Sequence, residues 1–131
     1  MKKSKFLFPT TLLIGFLLLT TSCKKEKLDR EKFLGKYSAI ETCEQGNDES
    51  YTLTITESDA SEDAIQIENL WSFNESMTAT VRMRSIIIPD QKVDGLDFSG
   101  TGFIDEGEIT IYFEITNGSS FDNCTSICTP K

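Results

Sequence analysis

Ile109-Thr110-Ile111-Tyr112-Phe113-Glu114-Ile115 alternates with a period of two, setting Ile109, Ile111, Phe113 and Ile115 on one face. Such alternation is the signature of a β-strand with one side against a core. Tyr51-Thr52-Leu53-Thr54-Ile55-Thr56-Glu57 repeats it, with Tyr51, Leu53 and Ile55 opposite three threonines. Threonine suits the outer face, because β-branching fits a pleated, half-buried surface. Met77, Ala79 and Val81 alternate with Thr78 and Thr80, Ile65 and Ile67 flank Gln66, and the apolar run Ile86-Ile87-Ile88 is ended by Pro89. Beyond residue 22 no stretch carries a convincing helical period.

Eight strands are expected, at about 36–44, 51–57, 64–70, 77–82, 85–89, 97–104, 108–116 and 120–128. Their connections are short, and Asn117-Gly118 between two alternating segments is the strongest turn signal among them. Strands joined mostly by hairpins give an all-β, up-and-down antiparallel meander. Closing it into a barrel removes both sheet edges, which otherwise invite aggregation; an open sandwich is the competing arrangement.

The cysteines favour closure. Four are present, Cys23, Cys43, Cys124 and Cys128, and there is no histidine. In an antiparallel barrel of eight strands the first lies beside the last. Setting Cys43 opposite Cys124 also sets Tyr37 opposite Pro130 and overlaps nearly all of both strands. Pairing Cys43 with Cys128 instead runs the start of the first strand off the chain end. A Cys124–Cys128 bond is poorer, since four residues along one strand span roughly 13 Å. A Cys43–Cys124 disulfide is therefore expected, with Cys128 free.

The chain's start carries an address. Lys2, Lys3 and Lys5 precede the apolar run Phe6–Leu19, which at 14 residues is shorter than the roughly 20 a spanning helix needs. Small residues follow, as in a secretory signal. Leu19-Thr20-Thr21-Ser22-Cys23 resembles a lipobox, although the usual leucine position holds Thr20. The expected division is a signal peptide over 1–22, a lipidated tether over 23–32 beginning at Cys23, and a β-barrel domain over 33–131. The tether is basic, whereas residues 33–131 hold five Lys or Arg against eighteen Asp or Glu. So acidic a body repels phosphate backbones and sets nucleic acid aside. The partner expected from these features is a membrane reached through the lipid anchor, and an export signal makes a disulfide the default state for two of the remaining thiols.

Phe33-Leu34-Gly35-Lys36-Tyr37 is similar to the Phe-x-Gly-x-aromatic opening of lipocalin-like barrels. With Glu41-Thr42-Cys43, Ile87-Ile88-Pro89-Asp90-Gln91, Phe98-Ser99-Gly100-Thr101-Gly102 and Asp122-Asn123-Cys124, the chain resembles small lipoproteins of Bacteroidota. That resemblance implies a lipocalin-like barrel held at the outer membrane, in the cell envelope, and brings no assigned activity.

Catalytic chemistry finds little purchase. Without histidine there is no Ser–His or Cys–His pair and no His-containing zinc site. Phosphate-binding glycine loops are absent, and Gly100-Thr101-Gly102 reads as a close packing point within a strand. The acidic run 57–63 lacks the order of an EF-hand loop and reads as a solvated hairpin. No catalytic residue, metal ligand or cofactor is expected, and the protein is expected to be non-enzymatic. In a meander the loops 46–50, 71–76, 90–97 and 117–119 share the end opposite the tether. That end holds the single tryptophan, Trp71, with Phe73, Asn74 and Glu75 beside it. These residues either wall the mouth of a carrier for an apolar or sugar-like ligand or cap the filled barrel of an envelope interaction module.

Overall fold

In the computed structural model, which describes residues 29–46 and 48–131, the strands close into one antiparallel up-and-down barrel. The strands are β1 (Gly35–Cys43), β2 (Asp48–Glu57), β3 (Ala64–Glu68), β4 (Ser76–Arg82), β5 (Ser85–Val93), β6 (Leu96–Asp105), β7 (Glu108–Thr116) and β8 (Phe121–Pro130). Each pairs with the next, and β8 returns to β1 with Tyr37 opposite Pro130 and Cys43 opposite Cys124. The fold and the closing register are those expected, and the open sandwich is not formed. Cys43 and Cys124 are joined by a disulfide, while Cys128 is a buried free thiol.

Inward-facing positions fill the interior. Leu53, Ile65, Ile67, Met77, Ile86 and Ile111 are each no more than 1 % exposed. On the inner face of β6, two positions carry no side chain at all. A Cβ on Gly100 would meet Tyr112 O and lie 2.8 Å from Phe113 Cβ, and one on Gly102 would lie 3.0 Å from Ile86 Cγ1. The expected close packing point is therefore real: β6 lies tight against its neighbours because both sites are bare.

Three details depart from the sequence reading. Pro89 does not end β5. The strand continues to Val93, with the register shifting between Ile88 and Gln91, since proline has no N–H for the ladder and is tolerated at a bulge. The long loop expected over 90–97 shrinks to the turn Asp94-Gly95, both residues at positive φ as in a type I′ hairpin. Asn117-Gly118, by contrast, makes no two-residue turn. Asn117 Oδ1 accepts from the N–H groups of Ser119 and Ser120, at 3.1 and 3.0 Å, as the cap of a longer loop.

At the other end the described residues begin with Asp29. Asp29–Lys32, expected as tether, forms a 3₁₀ turn. Arg30 donates to the carbonyls of Ser58, Ser61 and Ala64 at 3.0–3.1 Å and pairs with Glu57 at 3.5 Å. Phe33 follows, fully buried, and its carbonyl accepts the Tyr37 hydroxyl at 2.7 Å. Together these residues stopper the barrel floor. The expected signal peptide, Cys23 and the tether up to residue 28 lie outside the described residues.

Candidate functional site

Four connections meet at the end opposite Arg30, and the one between β3 and β4 is the most irregular. Asn69, Trp71, Ser72 and Asn74 all have positive φ, a conformation that costs a side-chain-bearing residue and persists only where surrounding contacts impose it. Those contacts are visible. Leu70 is fully buried and pins the loop to the core. Asn69 Nδ2 donates to Thr52 O at 2.8 Å, and the Asn74 N–H donates to Asn69 Oδ1 at 2.8 Å. The Trp71 N–H donates to the Tyr51 hydroxyl oxygen at 3.1 Å.

So held, Trp71 stands half-buried on the rim. Its ring lies 5.6 Å from that of Phe73 and 6.2 Å from that of Phe98, with Phe73 and Phe98 5.7 Å apart. Phe98 is buried below, so the three rings form the lid of the core. Two open hollows flank Trp71. One, of about 280 Å³, crosses the mouth between Gln45, Leu96, Asn117, Phe121 and Asp122. The other, of about 480 Å³, is bounded by Asp48, Glu49, Ser72 and Phe73. Asn74 and Glu75 do not join them; they line a separate hollow with Thr52, Thr54 and Glu68. Trp71 and Phe73 thus share one hollow, while Asn74 faces another.

Below the lid runs a polar chain. The Tyr51 hydroxyl donates to Glu41 Oε1 at 2.5 Å and shares a hydrogen bond with Ser126 Oγ at 3.1 Å; Ser126 Oγ lies 3.7 Å from Cys128 Sγ. Glu41 is 1 % exposed. Its Oε2 lies 3.6 Å from Cys43 Sγ, but a disulfide sulfur carries no proton to give, so that oxygen has no donor there. Burial pushes the Glu41 carboxyl up to about 7, with help from the charges on Glu49 and Asp122 and opposed by the Tyr51 hydroxyl and, less, by the Trp71 backbone N–H. Burial likewise raises Tyr51, reinforced by Glu41, and pushes the Cys128 thiol up to about 11.

Within this hydrogen-bonded run the thiol is not set up as a nucleophile. Cys128 is buried and kept protonated, the opposite of what a nucleophilic thiol needs. Glu41, Cys43 and Cys124 bring a carboxylate and two sulfurs within 4.8 Å of one another. With the sulfurs bonded to each other, neither is a thiolate, and the set is not a metal centre in the oxidised protein. Sequence reasoning passed over Glu41, although alternation from Tyr37 and Ala39 to Cys43 carries it to the inner face.

A larger hollow lies elsewhere, on the outer wall. It holds about 1000 Å³ over β5 to β8 and β1, beside Ile87, Thr101, Tyr112 and Thr125. Ile40, Phe103 and Ile127 are exposed on the same strands.

Two solved structures share the fold. The structure of EF1p2_mFAP2b bound to DFHBI superposes with a TM-score of 0.57 at 11 % identity, over 79 % of this chain and 98 % of that one. A redesigned β-barrel superposes with a TM-score of 0.58 at 10 % identity, over 79 % and 96 %. At that identity the likeness carries the fold alone. No protein-family model matches the chain, and no curated protein does.

Proposed function

We propose that this protein is a non-enzymatic barrel of the cell envelope, lipid-anchored at Cys23, that binds a small molecule on its rim at Trp71. The observation that carries the binding reading is the placement of the only tryptophan: held on a loop of four positive-φ residues, it stands between two hollows above a filled interior. An indole so placed offers a flat apolar face and one N–H donor. A barrel similar in fold has been seen bound to DFHBI, which supports small-molecule binding on such an architecture. Because the lumen is filled, the ligand sits on the rim and not inside.

Trp71 is its own reporter, being the only tryptophan in the chain. A panel of small molecules should contain one that shifts its emission saturably, and calorimetry should show that binding lost in Trp71→Ala. The melting temperature of that variant should fall by only a few degrees, since Leu70 and Phe98, not the indole, fill the core beneath. Collapse of the fold in Trp71→Ala would make the residue a core element and remove the site.

The anchor rests on the lipobox-like run 19–23. Cys23→Ser should release the protein from host membranes and abolish its labelling by fatty acid. Retention of the variant on membranes would sink that part of the reading.

A second reading has its own observation. Ile40, Ile87, Phe103, Tyr112 and Ile127, between 41 % and 62 % exposed, give the outer wall an apolar face. Such a face suits an envelope interaction module.

A further inference from the structure

We propose that the Trp71 hollows take an organic cation, an ammonium group on a small apolar body. The inference rests on the reading of the Trp71 rim as the binding site and names the chemistry of its occupant.

The first ground is the distribution of charge between the two ends of the barrel. Seven Lys and Arg lie from residue 29 onward, and six of them are at the stoppered end: Arg30, Lys32, Lys36, Arg82, Arg84 and Lys131. The four rim segments 44–49, 68–76, 90–97 and 114–123 carry ten Asp or Glu and one cation, Lys92. Lys92 is already paired with Asp97 at 3.0 Å. Among the described residues no Lys or Arg comes within 4.0 Å of a carboxylate of Asp48, Glu49 or Asp122. The field over the mouth is strongly negative, and it reaches inward: Glu49 and Asp122 both help hold the proton on Glu41. An anionic ligand such as a fatty acid would enter against that field, and a neutral sugar would gain nothing from it.

The second ground is what the hollows are made of. An acidic rim alone would suit any cation, hydrated metal ions included. Here the carboxylates share their hollows with aromatic side chains. Asp48 and Glu49 bound one hollow together with Trp71 and Phe73, and Asp122 bounds the other with Trp71 and Phe121. A cation over an indole face is attracted by the ring quadrupole, most strongly when its own hydration is weak. An alkylated ammonium meets both demands, since its charge answers the carboxylates and its methyl groups pack on the rings. Volumes of about 280 and 480 Å³ suit a group of that size.

The test compares probes of one shape and different charge on the full chain. Choline and its uncharged isostere 3,3-dimethylbutanol are titrated while Trp71 emission is followed, beside N-acetylglucosamine, octanoate and calcium chloride at matched ionic strength. The expected result is a saturable shift for choline, with the neutral isostere bound roughly tenfold more weakly. The choline shift should weaken at high salt, and Asp48→Asn/Glu49→Gln should weaken it further with an unchanged melting temperature. Equal binding of the isostere overturns the cation inference and leaves the rim site standing, as does saturation by the sugar or the fatty acid alone. A calcium response equal to that of choline overturns it too, because the rings would then play no part. No response to any probe overturns both the inference and the site.

Discussion

The Cys43→Ala/Cys124→Ala double variant should lose about 4–5 kcal/mol of stability. The bridge joins residues 81 apart in sequence, and tying so long a loop removes much of the freedom of the unfolded chain; the chain-entropy relation gives that figure. For a domain of about 100 residues it corresponds to roughly 20 °C or more in melting temperature. The barrel should still close, because β1 and β8 remain paired from Tyr37 to Thr42. Thermal unfolding in the presence and absence of a reductant measures the effect on the unmodified chain, and peptide mapping without reduction should recover Cys43 linked to Cys124. Cys128, buried and with its thiolate disfavoured, should react with alkylating agents only after unfolding. A drop of less than about 1 kcal/mol on reduction would mean that the unfolded chain is already compact enough to leave the bridge little to constrain.

How much of this was legible follows from what alternation can and cannot carry. The period of two in Ile109–Ile115 and Tyr51–Glu57 set the strand faces, and the position of two cysteines set the register of the closing pair, because a shift of four residues would have run the start of β1 off the chain end. Turn chemistry is legible only in part. Pro89 looked like a stop because a ladder needs every N–H, yet the strand absorbs it as a bulge, and the Asp94-Gly95 turn beyond it is then the natural hairpin. Arg30 was hidden for another reason. In a basic stretch it looks like any solvated cation, and only the folded β2–β3 connection gathers three carbonyls to receive it. The Trp71 loop was placed at the right end, but its conformation depends on Leu70, Tyr51 and Thr52, which lie far away in the chain or read as ordinary core.

Glu41 was hidden in plain alternation, and it leads to the second large effect. Its carboxyl is raised from 4.5 to about 7 in the folded protein, so the proton is bound more tightly in the folded than in the unfolded chain. The stability this contributes is therefore complete below about pH 4.5, where both states hold the proton. It falls as the unfolded chain ionises first, and it is lost once the pH has risen through about 7. Over that window the linkage amounts to about 3 kcal/mol. Glu41→Gln keeps the shape and the acceptor for the Tyr51 hydroxyl but cannot ionise. The variant should match the parent protein near pH 4.5 to within about 1 kcal/mol and exceed it by about 3 kcal/mol at pH 8 and above. Melting curves of the two proteins across that range isolate the effect, because every other carboxylate, and the general repulsion of an acidic body, is common to both. Parallel curves would show that Glu41 ionises freely inside the barrel, which would require a donor at its Oε2 beyond the disulfide sulfur that faces it. A gap that opens between pH 5 and 8 would instead establish a buried, neutral acid one hydroxyl away from the Trp71 backbone, linked to the rim through Tyr51.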